Sequence, residues 1–251
     1  MNKGFVILAQ NTDTTDYVSC ANVLKNSIHK VMPDANVTII TDLPYGDLAP
    51  DSDWKLINDW QVYEASPYEY TIKLEADMIV PYNIDYWWDI LKNRDIVVSS
   101  TIRNYKGIIS DSKYYRSFIV DNKLPDVYNA ITYFKKSEQA EYFYKLVRNL
   151  FENWDEYKTI LKCNENEVAT TDWVYALACH IMGEEQTTLK TFTQMSMIHM
   201  KQHINDLLTE DWTKELVYEY NDILNIHTFP QYYPFHYHIK DFSKVLGNYY
   251  G

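Results

Sequence analysis

The chain has 251 residues and a formal net charge of -12, from 23 basic against 35 acidic side chains. That length suits one α/β domain with a sizeable core, and the charge disfavours general affinity for nucleic acid, which calls for a basic surface. With 46% hydrophobic and 23% charged residues the composition is that of a soluble globular chain, and its 23 tyrosines supply rings that line sugar or base sites as well as cores.

The first element, "GFVILAQNT", is a short β-branched run ending in polar turn formers, which predicts a buried parallel strand. Its apolar part is too short for a signal core or a membrane span, and no later segment approaches the roughly 20 apolar residues of a span. Cys20, Cys163 and Cys179 are scattered without metal-type spacing, which suggests reduced thiols. The expectation is a cytoplasmic protein with no membrane insertion. "TDYVSCANVLKNSIHKVMP" follows with Val18, Ala21, Leu24, Ile28 and Val31 at helical spacing, Thr15 or Asp16 as N-cap and Pro33 beyond the end. "ANVTIITD" is the next strand. Such a βαβ unit leaves its ligand crevice at the carboxyl ends of the strands, here at Gln10, Asn11 and the residues up to Asp13, and at Thr41 and Asp42.

"DWKLIND" reads as a short strand and "WQVYEASPYEY" as a short helix broken near Pro67. "TIKLEADMIV" reads as one central strand stopped by Pro81, "IDYWWDILKN" as a helix and "DIVVSS" as a strand. Residues 101–125 are polar, basic and tyrosine-rich, without periodicity, as in a substrate-covering loop. Arg103, Lys106, Lys113 and Arg116 concentrate there, either as a local basic groove or as a solvated loop. "YNAITYFKKS" is a strand and "EQAEYFYKLVRNLFENWDEYKTI" a helix; "DWVYALACHIMG" is another helix, with Gly183 as C-cap. "KTFTQMSMIHMK" is a strand candidate, and "NIHTFPQYYPFHYHIKDF" closes the chain as an aromatic extension folded back on the domain.

Glu75 and Asp77 stand two apart in an apolar run, so on a strand they share a face. Two like charges in a poorly solvated place repel unless something positive lies beside them, and hard divalent cations do this in phosphate-transferring sites. The other reading is an edge strand whose solvent face carries Lys73, Glu75 and Asp77, with Ile72, Leu74, Ala76 and Met78 inside. His236, His238 and Lys240 likewise alternate onto one face, where imidazoles suit a metal and a lysine suits a phosphate. "IHMK" offers the rival pair His199 and Lys201. Asp172 follows Thr170 and Thr171 at a helix start, where it could equally serve as a plain cap.

"IKLEADMIV" resembles the D-x-D segment of the GT-A class of nucleotide-sugar glycosyltransferases, and the likeness to the family-8-like retaining branch continues along most of the chain. The start of the chain is similar to that branch, with Asp16 and Tyr17 where the family meets the nucleobase. "YNAITYFKKS" is similar to its F-N-x-G-V strand, "TTDWVYALA" to its D-Q-x-x-L helix start, and "PFHYHIKDF" to its H-Y-x-G-x-x-K-P-W. Glu75 replaces the first Asp, Asn129 is followed by Ala130 and then Ile131 where the family has its glycine, and the His-to-Lys spacing is short. The resemblance implies a Rossmann-like GT-A fold with a mainly parallel central sheet flanked by helices. It implies a single domain over 1–251, with 1–100 as the nucleotide-binding half and 101–251 as the acceptor half and C-terminal extension.

Function and site follow from the resemblance as expectations: sugar transfer from a nucleoside-diphosphate sugar, a UDP-sugar donor, and Mn²⁺ or Mg²⁺ as cofactor. Asp77, Glu75, His236 and His238 would hold the metal, with Glu75 reaching the ribose or a metal-bound water. Gln10, Asn11, Asp16, Tyr17, Lys73, Glu75, His199 and Lys201 would meet the donor. Lys240 would offset charge on the leaving diphosphate, and Asp172 would act as base if the enzyme inverts or position the sugar or acceptor if it retains. The acceptor would be a glycan, a small molecule or a hydroxymethylated base of phage DNA in a host cytoplasm. A metal-dependent nucleotidyltransferase or phosphohydrolase using the same groups, and a non-catalytic nucleotide-sugar binder, are the alternatives.

Overall fold

The structure is a computed structural model, and it describes residues 2–110, 115–164, 167–189 and 195–251. Lys113 of the basic stretch and residues 190–194 of the expected strand lie outside the described residues. The strands are β1 (Lys3–Leu8), β2 (Val37–Ile40), β3 (Tyr70–Glu75), β4 (Met78–Ile79), β5 (Ile96–Ser99), β6 (Ile102–Arg103), β7 (Tyr128–Lys135), β8 (Met197–His199), β9 (Tyr218–Asn221), β10 (Ile223–Ile226), β11 (Phe229–Pro230) and β12 (Phe235–His236). The helices are α1 (Tyr17–Val31), α2 (Val62–Ala65), α3 (Trp87–Leu91), α4 (Ser117–Asp121), α5 (Glu138–Glu152), α6 (Trp154–Tyr157), α7 (Thr171–Met182), α8 (Glu184–Thr187), α9 (Gln202–Asn205) and α10 (Phe242–Tyr250). Among the described residues no helix is long and apolar enough to cross a membrane.

The central sheet has the order β2-β1-β3-β7-β5. β1 pairs in parallel with β2 and β3, placing Leu8 beside both Ile40 and Glu75. β7 alone runs against its neighbours. Successive residues of β1 feed opposite faces, as strand geometry requires. Phe5 and Ile7 join Cys20, Ala21, Leu24 and Ile28 of α1 on one side, while Val6 joins Phe143, Val147, Val174 and Tyr175 of α5 and α7 on the other. Helices therefore cover both faces, and the inner strands are largely apolar, with Lys73, Asn129 and Thr132 among the buried polar exceptions. Gly4 is required where the Tyr68 ring crosses β1, because a Cβ there would collide with it.

A second, four-stranded sheet has the order β4-β12-β8-β6. The expected single strand "TIKLEADMIV" is in fact divided: β3 ends at Glu75, Ala76 and Asp77 form a turn, and β4 enters this other sheet. Asp77 sits at the joint, where its carbonyl accepts the Tyr237 amide at 3.2 Å. β12 pairs antiparallel with β4 and parallel with β8, setting His236 beside Met78 on one side and beside His199 on the other. The aromatic extension folds back as expected, burying Trp212, Phe235, Tyr237, Phe242 and Leu246 together, and α10 packs on α1.

Further expectations are corrected. "DWKLIND" is a 3₁₀ turn over Lys55–Gln61 rather than a strand. Its polar side chains serve the preceding loop instead of a ladder: Asn58 accepts from the Leu48 amide and Gln61 from the Tyr45 amide, both at 2.9 Å. Lys73 does not lie on a solvent face, because Thr71, Ile72, Lys73 and Leu74 are all buried. The region 101–125 contains β6 and α4. Its arginines do not form a solvated loop: Arg103 donates to Ser196 and the Gly107 carbonyl, and Arg116 pairs with Asp126 and Asp172.

Candidate active site

A cavity of about 450 Å³ opens at the carboxyl ends of β1 and β3, against the second sheet. Glu75 ends β3 and Asp77 forms the turn beyond it, so both carboxylates reach the same side of the cavity. His236 brings its Nε2 to 3.1 Å from Asp77 Oδ2 and 3.3 Å from Glu75 Oε2, and Lys240 donates to the same Asp77 oxygen. Burial alone would raise the Asp77 carboxyl, but His236 and Lys240 beside it hold it far below the usual carboxylate range. Glu75 is raised instead, by burial first, with His236 and Lys73 opposing. Burial disfavours charge on Lys240, yet Asp77 outweighs it and raises the ammonium's pKa.

Two further imidazoles adjoin this group. His238 Nε2 lies 3.4 Å from His199 Nδ1, and the His236 and His238 rings lie with centroids 3.7 Å apart. Burial first, then neighbouring His236, holds both His199 and His238 well below the ordinary imidazole range, so both keep a lone pair to give.

The donor set suits a hard divalent cation. One ligand atom from each of Glu75, Asp77 and His236 falls within 4.8 Å of the others, and carboxylate with imidazole is the ligand chemistry of Mn²⁺-class ions. Among the described residues His236 Nδ1 is buried with no hydrogen-bond partner.

The remaining sequence candidates fall into three groups. Tyr17 lines the cavity with the Lys240 ammonium 5.5 Å from its ring, and Gln10 lines it while accepting from Asn58 at 2.9 Å. His199 and Lys201 also reach it. Asn11 and Asp16 are occupied locally: Asn11 accepts the Val18 amide at 2.9 Å, and Asp16 caps α1 by accepting the Ser19 amide at 3.0 Å. Lys73 borders the cavity from below, 2.7 Å from Asp59.

Asp172 is not the cap of α7, since Thr170 takes that place by accepting the Trp173 amide. Its Oδ1 accepts the Asn129 amide at 3.0 Å and its Oδ2 lies 3.1 Å from Arg116. Burial would lower the Arg116 pKa, but Asp172, Tyr128 and Asp126 raise it. The guanidinium also lies 4.4 Å over the Tyr128 ring. Sequence reasoning did not single out Arg116, Tyr128 or Trp173 as lining residues. Arg116 was visible only as one charge of a basic stretch, and nothing local marks its two acidic partners.

No protein-family model matches the chain, and no curated protein matches it either. Solved structures do. The apo form of the glycosyltransferase GlyE of Streptococcus pneumoniae TIGR4 aligns with a TM-score of 0.50 at 10% identity, over 100% of this chain and 60% of GlyE. The galactosyltransferase LgtC, solved with donor and acceptor sugar analogues, gives 0.45 at 12% identity, over 69% of this chain and 70% of LgtC. Mouse xyloside xylosyltransferase 1 gives 0.43 at 9% identity, over 75% of this chain and 84% of that one. The chain has the GT-A glycosyltransferase fold that its sequence resembles.

Proposed function

We propose that this chain transfers a sugar from a nucleoside-diphosphate sugar to a hydroxyl group, with a divalent cation held by Asp77, Glu75 and His236. The observation that supports this most directly is the meeting of Asp77, Glu75, His236 and Lys240 at the carboxyl end of β3, at the edge where an α/β sheet binds its ligands. Bound there, Mn²⁺ or Mg²⁺ would act as a Lewis acid on the diphosphate oxygens.

The chain's own residues divide the rest of the work. Tyr17 and Gln10 line the nucleoside end, at the tip of β1. Glu75, with its pKa raised by burial, lies ready to bond a ribose hydroxyl. Lys240 stays charged beside Asp77 and can turn its ammonium to the leaving phosphate as negative charge grows there. Asp172, fixed by Arg116 and the Asn129 amide, orients the transferred sugar or takes the acceptor proton. Residues 1–100, joined by His236 and Lys240, supply the donor side, and the rest of 101–251 most of the acceptor side. With a net charge of -12 and Arg103 and Arg116 committed to internal partners, a glycan or small-molecule hydroxyl fits better than duplex DNA.

A panel of UDP-, GDP-, ADP- and TDP-sugars, assayed for Mn²⁺-dependent release of the nucleoside diphosphate, tests the reading. One donor should be hydrolysed slowly without acceptor, and Asp77→Ala should lower that rate about 10³-fold, the upper range for a lost electrostatic contact. Cleavage of triphosphates or diesters in place of nucleotide sugars would overturn it. So would an Asp77→Ala protein with full activity.

A further inference from the structure

We propose a second cation site in this molecule, formed by the imidazoles of His199, His236 and His238 and suited to a borderline transition metal such as Zn²⁺. One ring nitrogen from each of these residues falls within 4.8 Å of the others. Three buried or half-buried imidazoles are costly to assemble, because each ring has one lone pair that wants a partner. Their mutual contacts satisfy little of this: the best is the 3.4 Å approach of His238 Nε2 to His199 Nδ1.

Two observations separate this cluster from the carboxylate group. His236 turns its Nε2 toward Glu75 and Asp77, leaving its Nδ1 buried and without a hydrogen-bond partner among the described residues. The two groups thus share one ring with a single lone pair: when its Nε2–H donates to Asp77 and Glu75, its Nδ1 is the nitrogen that can face a cation, so the two sites would take their cations as alternatives. His238 lies in the left-handed region, with φ of 60°, a conformation that a non-glycine residue holds at a cost when its surroundings demand it. The backbone leaves β12 at His236, and this twist keeps the His238 ring 4.6 Å from that of His199.

Ligand type sets the metal. Oxygen-rich groups take Mg²⁺ and Mn²⁺, whereas three neutral imidazoles with an open fourth position suit Zn²⁺ and Co²⁺. The inference goes beyond sugar transfer and does not depend on it, because it can be read with metal alone.

Metal-free full-length protein titrated with Zn²⁺ against a chromophoric chelator, and separately with Co²⁺ followed by its visible absorption, provides the test. Wild type should bind one Zn²⁺ tightly and give the intense visible bands of four-coordinate Co²⁺. His199→Gln and His238→Asn should each weaken Zn²⁺ more than tenfold. Asparagine tolerates the left-handed backbone, and thermal unfolding confirms that both variants fold. Asp77→Ala should keep Zn²⁺ affinity while losing Mn²⁺. If Asp77→Ala weakens Zn²⁺ as much as the histidine variants do, there is one site and the proposal fails. It also fails if folded His199→Gln and His238→Asn bind Zn²⁺ like wild type, or if wild type binds none.

Discussion

Two lysine–aspartate pairs border the same cavity, and their surroundings give them opposite characters. Lys73 and Asp59 lie 2.7 Å apart with both side chains 1% exposed. Each has a further buried partner: Lys73 donates to the Asn129 carbonyl at 3.2 Å, and Tyr175 donates to Asp59 at 2.5 Å. Lys240 and Asp77 make the second pair, in which Asp77 is 5% exposed and the lysine 32%. Its ammonium reaches water and the cavity at once, so it can exchange Asp77 for another anion at little cost. Charge near a pocket is therefore insufficient to assign a role; what matters is whether the charge is already saturated.

Breaking the saturated pair should have the largest effect. Lys73→Met strands the Asp59 carboxylate in a place closed to water, and the loss should be about 3–5 kcal/mol of stability, read by urea unfolding. Adding Asp59→Asn to Lys73→Met removes the stranded charge and should restore much of it. Lys240→Met should behave in the opposite sense. Stability should fall less than for Lys73→Met, because Lys240 is 32% exposed and His236 stays beside the buried Asp77 carboxylate, while turnover falls about 10²–10³-fold, about 2.7–4 kcal/mol of lost transition-state stabilisation. If Lys240→Met unfolds the protein as readily as Lys73→Met, the contrast between the pairs is wrong.

The two sheets differ in how plainly the sequence announces them. The β-branched run of β1, the helical spacing of α1, α5 and α7, and the apolar stretch of β7 are local signals, and each element lies where its pattern placed it, except that the single helix expected over 138–160 breaks at Asn153 into α5, α6 and a 3₁₀ turn. The second sheet is built from strands of two or three residues drawn from positions near 78, 102, 198 and 235. No window that short carries a period, so its register follows only from long-range packing. The site sits where the two sheets meet and was legible to the same degree. Glu75 and Asp77 stood out as carboxylates in an apolar run, and His236 and His199 as rival metal ligands. That the rivals are neighbours depends on the parallel pairing of β8 with β12, which sets them side by side. Alternation also left open an edge strand with Lys73 on a solvent face, and that alternative falls because an inner strand of this sheet has no such face.

Saturation also bears on a third aspartate. Asp16 stands near the tip of β1, but its carboxylate is turned to the Ser19 amide as the cap of α1 and does not line the cavity. A cap contributes about 1 kcal/mol, so Asp16→Ala should lower stability by roughly that amount. Serine caps a helix equally well, and Asp16→Ser should restore the loss. The same serine variant separates capping from recognition, because its hydroxyl is shorter and uncharged and cannot stand in for a carboxylate facing a nucleobase. An unchanged donor KM in Asp16→Ser would mark Asp16 as a structural group like Asp59, leaving Tyr17 and Gln10 as the residues of this segment that face the donor. A raised KM with stability intact would show that a capped carboxylate still reaches the base, and that saturation in the free protein does not bar a group from binding.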